Sequence, residues 1–270
     1  MNRRLLLALP AGLAASAALR AMAAPARPAP DLDIPICRGG LRRVAEVPQR
    51  DASTPEAADA DYLEKVGLLE GHLIVGRRLL EAGQARLAVP HFGHPIRELY
   101  TWLEPRLAAR RAPQFERELE VMEGWAEGGN TGTNGRFGDA WTSLAPKLAA
   151  AKRAVAPERL ASPRFMLSHV AMMVYDVASD YGESIERGRI VNVVEYHDSM
   201  GFLAYAAQTA AEQRAAGRAA TEWAEAADIL EELRKLAYPE LLPPGRLPTS
   251  VSSVRSRSDR IQDIAARVVA

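Results

Sequence analysis

Apolar residues recur three and four positions apart through most of the chain, and that period predicts helices. Asp61 to Ala82 carries Tyr62, Val66, Leu69, Leu73 and Leu80 on one stripe, with Gly83 as a C-terminal stop. Gly71 and Gly76 lie inside this segment, and each costs up to ~1 kcal/mol against alanine, so close helix packing or a nearby ligand is expected there. A short helix over 84–89 leads to Pro90-His91-Phe92-Gly93-His94-Pro95, which reads as a turn. Pro95 then opens a helix to Arg111 through Leu99, Trp102, Leu103 and Leu107, kinked or split at Pro105. Gln114 to Ala126 is helical, 128–138 is a polar glycine-rich loop, and Trp141 to Val155 is helical with a break at Pro146. Ser162-Pro163 caps and starts a long helix to Arg187, hinged at Gly188. Asn192-Val193-Val194-Glu195 is a capping-box-like start for the next helix, to Ala216. Thr221 to Leu236 is one more helix. Pro239, Pro243, Pro244 and Pro248 form a stiff connector, and 251–269 closes the chain as an amphipathic helix.

The fold class that follows is all-α, a mostly antiparallel helix bundle over 61–238, with an internal boundary or mobile lid at 128–138 and a proline-rich connector plus helix over 239–270. Alanine, leucine, arginine and glutamate dominate while aromatic residues make up only 6%, which is a helical composition. The first 23 residues change the address. Basic Arg3-Arg4, an apolar run from Leu5 to Leu19 and the small-x-small exit Ala21-Met22-Ala23 read as a secretory signal peptide. The arginine pair admits a twin-arginine route. No later apolar run is long enough to span a bilayer, so the expectation is a periplasmic protein with an irregular leader over 24–60. Formal charge is balanced and no basic patch interleaves with aromatics, so nucleic acid is not an expected partner. Cys37 is the only cysteine, which excludes an intramolecular disulfide, a Cys-x-x-Cys-His haem attachment and any thiolate cluster.

Candidate chemistry falls into two groups. His91-x-x-His94-x-x-x-Glu98, with His72 one helix earlier, can converge on one cation, and imidazole suits zinc, copper, iron and nickel alike. The alternative is that His94 caps a helix and His91 packs against Phe92. In the second group Met166, His169, Met173, Asp176 and Asp180 fall at i, i+3, i+7, i+10 and i+14 on one side of a helix. A thioether–imidazole–thioether row suits Cu(I), but methionine at helical spacing also fills cores. Glu195 and His197 join this group if the two helices fold back as a hairpin, although a capping box accounts for Glu195 by itself. Met200 shares the face of His197, whereas Asp198 lies on another side with Phe202 and Tyr205. There is no His-Glu-x-x-His, no Glu-x-x-His, no Gly-x-Ser-x-Gly, no phosphate loop and no dinucleotide fingerprint, so neither catalysis nor a bound nucleotide is expected.

The run Tyr175-Asp176-Val177-Ala178-Ser179-Asp180-Tyr181-Gly182, then Gly188-Arg189-Ile190-Val191-Asn192 and Glu195-Tyr196, resembles helical domains found outside the membrane in iron-permease systems. In these an Asp-Tyr pair, a Gly-basic-Val/Ile step and a Glu-Tyr pair sit on consecutive helices. The resemblance implies an exported helical protein handling iron or copper, with a membrane transporter as partner and Asp180, Tyr181, Glu195 and Tyr196 in or near its working surface. A glutamate-rich permeation motif and the signature of imelysin-like iron-regulated proteins are both absent. The expectation is a non-catalytic metal-binding or metal-delivery protein. The alternative is an adaptor of an envelope or transporter complex whose histidines are structural.

Overall fold

The computed structural model describes residues 54–243, 246 and 249–268. The stretch read as a signal peptide, Cys37 and the expected irregular leader up to residue 53 lie outside the described residues. Helix α1 (Pro55–Glu81) starts six residues earlier than its apolar stripe implies, because Thr54 accepts the Ala57 N–H and Pro55 takes the first turn. Then follow α2 (Ala85–His94), a π-helical turn (Pro95–Tyr100), α3 (Thr101–Ala109), α4 (Glu116–Glu127), α5 (Gly135–Arg153), the short α6 (Pro157–Leu160) and α7 (Pro163–Ser184). A two-stranded hairpin, β1 (Ile185–Glu186) with β2 (Arg189–Ile190), reverses the chain through Arg187 and Gly188, both at positive φ. Beyond it come α8 (Val193–Ala215), α9 (Ala220–Ala237) and α10 (Val251–Arg267). Among the described residues the fold is all-α apart from this hairpin and a lone bridge between Arg189 and Arg246.

Three prolines read as a turn, a kink and a break are none of these. Pro90, Pro105 and Pro146 sit inside α2, α3 and α5, while Pro95 opens a helical segment as expected, a π-helical turn continuous with α2. The expected turn at 90–95 is therefore corrected: His91 and His94 stand on one continuous helical stretch, at i and i+3. Proline costs a helix one hydrogen bond and a clash. In a π-helical turn the bonding pattern has already shifted by one residue, which accommodates Pro95 there.

Helix α1 is the central rod. It packs against α7 and α8 and also against α2, and it buries Tyr62, Leu63, Leu69, Leu73, Leu79 and Leu80. Each such side chain contributes about 1.5–3 kcal/mol by leaving water. Helices α7 and α8 lie against each other, α10 lies on α7 and α9 on α8, while α4 bridges α2 and α5. All described residues belong to one compact unit. The glycine-rich stretch after α4 is tied down within it: Gly132 N–H donates to Leu80 O at 2.9 Å, and the Trp125 indole N–H donates to Gly132 O at 3.3 Å.

Glycines explain how close the rods come. A Cβ on Gly71 would stand 2.5 Å from a Phe202 ring carbon and 3.1 Å from the Phe202 backbone nitrogen. A Cβ on Gly201 would stand 2.9 Å from the Gly71 carbonyl carbon. Thus α1 and α8 meet backbone to backbone at Gly71 and Gly201. Gly76 makes room for the side chains of α2, where a Cβ would lie 3.1 Å from the His91 Cβ and 2.9 Å from a Phe92 ring carbon. The propensity cost of Gly71 and Gly76 is the condition for bringing His72 to α8 and His91 to α1.

Candidate metal centre

Because Gly71 and Gly201 let α1 and α8 touch, His72 sits opposite Asp198, one turn before Gly201. His72 Nδ1 donates to Asp198 Oδ1 at 2.5 Å, and His91 Nδ1 donates to the same oxygen at 2.7 Å. His94, one turn along the same helix as His91, places its Nδ1 3.9 Å from Asp198 Oδ2. Three of the five histidines in the chain, carried on two helices, thus surround one carboxylate on a third. One ligand atom each from His72, His91 and Asp198 lie within 4.8 Å of one another, and all three residues are buried. His94 is the exposed edge of the group, with 27% of its side chain open to solvent.

The electrostatics follow from burial and mutual proximity. Burial alone would raise the Asp198 carboxyl, but His72 and His91 beside it hold it far below the usual carboxylate range. Burial opposes charge on the His72 imidazole, yet the Asp198 carboxylate raises it above its ordinary value. His94 goes the other way, lowered by burial to about 4, with His72 and His91 contributing in the same direction. Glu98, in the π-helical turn, is raised by burial, and Asp198 adds to that while His72 opposes it. Burial and then the neighbouring Asp198 and Glu183 push Glu195 up to about 7. Packing around the Asp180 carboxyl raises it well above the ordinary range, and Glu195 and Asp198 reinforce the effect. Carboxylates therefore flank the imidazole cluster, feeling both it and each other.

His91 is buried to 0% exposure and its second ring nitrogen, Nε2, has no hydrogen-bond partner among the described residues. His197 stacks edge-on against His91 at 5.4 Å between ring centres. Its Nε2–H donates to Leu241 O at 3.0 Å, and burial lowers it to about 3, so this ring stays neutral beside the cluster.

The remaining sequence candidates lie elsewhere. His169 Nε2 pairs with the Tyr205 hydroxyl at 3.1 Å. The Met173 sulfur packs 3.0 Å from where a Cβ on Gly67 would stand, and Met166 lines a small cavity with Tyr205 and Thr209. Tyr205 is seven residues beyond Asp198 on α8, about 10 Å along the helix. The row Met166–His169–Met173 is accordingly separate from the imidazole–carboxylate group. Asp176 and Asp180, further along α7, lie toward Glu195 and Asp198. Tyr181 and Tyr196 are fully buried, and their hydroxyls donate to Thr249 O at 3.1 Å and Glu240 O at 2.9 Å, bracing the connector.

Asp198, the hub, was not among the sequence candidates. Its face was legible as the one shared with Phe202 and Tyr205. The missing step was that Phe202 meets Gly71 and Tyr205 meets Gly67, so this face looks at α1 and at His72.

The donor set is imidazole nitrogen and carboxylate oxygen. Two histidines with one carboxylate and further positions open is a ligand combination suited to iron, and imidazole with oxygen also suits Cu(II), zinc and nickel. The three grouped residues offer imidazole and carboxylate, donors of the kind that zinc, Cu(II), nickel and iron take. Comparison with curated proteins and with solved structures finds no match. Residues 156–270, α6 to α10 with Asp198 included, are similar to a family described as an iron permease-associated 4-helix bundle domain.

Proposed function

We propose that His72, His91, His94 and Asp198 hold a transition-metal ion as cargo, iron or Cu(II), with Glu98 and Glu195 as flanking carboxylates. The protein binds or delivers this ion without catalysis, in the periplasm, in partnership with a membrane transporter. The observation that carries the reading is the convergence of three scarce imidazoles on one buried carboxylate. A structure needs one partner for Asp198, and the chain supplies three, from two separate helices, at a close approach that two glycines make available. The family match supports the transporter partnership. Among the described residues no helix is long and apolar enough to cross a membrane, so any translocation belongs to that partner. His94 is the side from which an ion would arrive, being the open edge of the group.

A second reading is an adaptor docked on a transporter, in which the histidines only brace helices. In its favour, hydrogen bonds from His72 and His91 already satisfy Asp198 Oδ1. Titration of the purified protein with Fe(II), Fe(III), Cu(II) and Zn(II), followed by thermal midpoint, separates the two. An ion that prefers the native state adds about 2.7 kcal/mol at a free concentration one hundred times its Kd. The metal reading expects that rise with iron or copper and its loss in His91→Ala with His94→Ala. Indifference to every ion would establish the adaptor.

A further inference from the structure

A different cavity, of about 530 Å³, opens between the first turns of α1 and α7, away from the imidazole–carboxylate group. We propose that it binds a small organic anion, with a carboxylate head at Arg164 and the two helix N-termini and an apolar body reaching the buried ring of His169. This site is independent of the metal reading.

Four features of the cavity support this. Its rim contains Pro55, Glu56 and Ala57 of the first turn of α1, and Arg164 and Phe165 of the first turn of α7. Thr54 takes the Ala57 N–H and Ser162 takes the Phe165 N–H, which leaves the second amide of each helix as a donor beside the positive ends of two helix dipoles. Arg164 is exposed and has no ion-pair partner among the described residues, whereas Arg159, on the same rim, is already neutralised by Asp59 at 2.9 Å and Glu56 at 3.2 Å. Phe165 and Met172, both more than nine-tenths buried, give the lining an apolar part beside Ala57, Ala60 and the polar Ser168.

At the floor lies His169, 2% exposed, whose Nδ1 has no hydrogen-bond partner among the described residues. Its other nitrogen fixes what Nδ1 offers. A phenol is a much stronger proton donor than a neutral imidazole, so the Tyr205 O–H donates and His169 Nε2 accepts. The one ring proton is then on Nδ1. Burial lowers His169 to about 3, so the ring is neutral and this N–H is a fixed donor, not a titrating charge. A buried donor without a partner costs about 1–3 kcal/mol, and a ligand acceptor at the floor would recover it. The volume suits a single-ring carboxylate with a polar substituent, within the range of ordinary small-molecule sites.

The test uses 4-hydroxybenzoate, benzoate and inorganic phosphate on the full chain by calorimetry, with the His169 imidazole followed by nitrogen-15 NMR. Saturable binding of 4-hydroxybenzoate, a shift of the Nδ1–H resonance, and weakening by about tenfold in Arg164→Ala and in His169→Phe are expected. Arg164 is exposed, so its variant folds whatever becomes of His169→Phe, and His169→Gln, which keeps a donor, should retain part of the affinity. No saturable binding at millimolar ligand, or binding unaffected by Arg164→Ala, overturns the site. Phosphate binding as tightly as either carboxylate overturns the apolar half of the assignment.

Discussion

Replacing Gly201 by alanine should disable the candidate metal centre without touching any of its side chains. The added Cβ would stand 2.9 Å from the Gly71 carbonyl carbon and 3.2 Å from the Val75 Cβ, with the Gly71 oxygen closer still. Comfortable carbon–carbon contact begins near about 3.5 Å, so α1 and α8 must part by roughly 0.5–1 Å at this crossing. Backbone cannot rotate aside as a side chain can. His72 is the next residue after Gly71, and Asp198 is one turn from Gly201, so the 2.5 Å bond between them should lengthen to about 3–3.5 Å, the outer limit of hydrogen bonding. Overpacking costs about 1–3 kcal/mol and loss of a charged hydrogen bond about 1.5–3, against about 1 returned by the helix propensity of alanine. The net loss is about 1.5–5 kcal/mol. Urea unfolding measures it through the midpoint at constant slope. Gly124→Ala is the control, because nothing lies within 4 Å of its Cβ, and that variant should gain up to about 1 kcal/mol. Should Gly201→Ala be as stable as Gly124→Ala, the backbone contact does not position the centre and the reasoning fails.

Other consequences can be checked beside it. Asp198→Ala leaves the His72 and His91 imidazoles buried without their shared acceptor and should cost about 3–5 kcal/mol by urea unfolding, whereas loss of a routine surface carboxylate would cost under about 0.5. His169 has a native value of about 3 against about 6.5 in an unfolded chain, so the unfolded state binds the extra proton between those values. Its contribution is therefore complete above about pH 6.5 and is lost as pH falls toward 3, by up to about 1.4 kcal/mol per pH unit. The wild-type stability slope between pH 6 and 4 should flatten in His169→Phe, and equal slopes would mean that this ring is not buried neutral.

The helices were legible because their apolar period is strong and their caps are conventional: Ser162 before Pro163, Asn192 before α8 and Ser250 before α10 each accept a first-turn N–H. Proline misled the reading at Pro90, Pro105 and Pro146, since local propensity counts the missing N–H but not the packing that outweighs it. That error turned the histidine pair from a helix into a loop. The gathering of His72, His91 and His94 was visible as scarcity and spacing, but not the carboxylate they share. Asp198 looked like one acid among several. Its importance comes from which helix faces which, and that is set by Gly71 meeting Gly201 across 130 residues of sequence, a contact no local pattern encodes.

X-ray absorption at the edge of the bound metal reads out whether an ion sits among imidazoles and carboxylates at Asp198. Nearest neighbours of nitrogen and oxygen with the longer-range scattering of at least two imidazoles are expected, and both should be lost in Asp198→Asn and in His91→Ala. A sulfur neighbour, or a spectrum unchanged by those two substitutions, would contradict it.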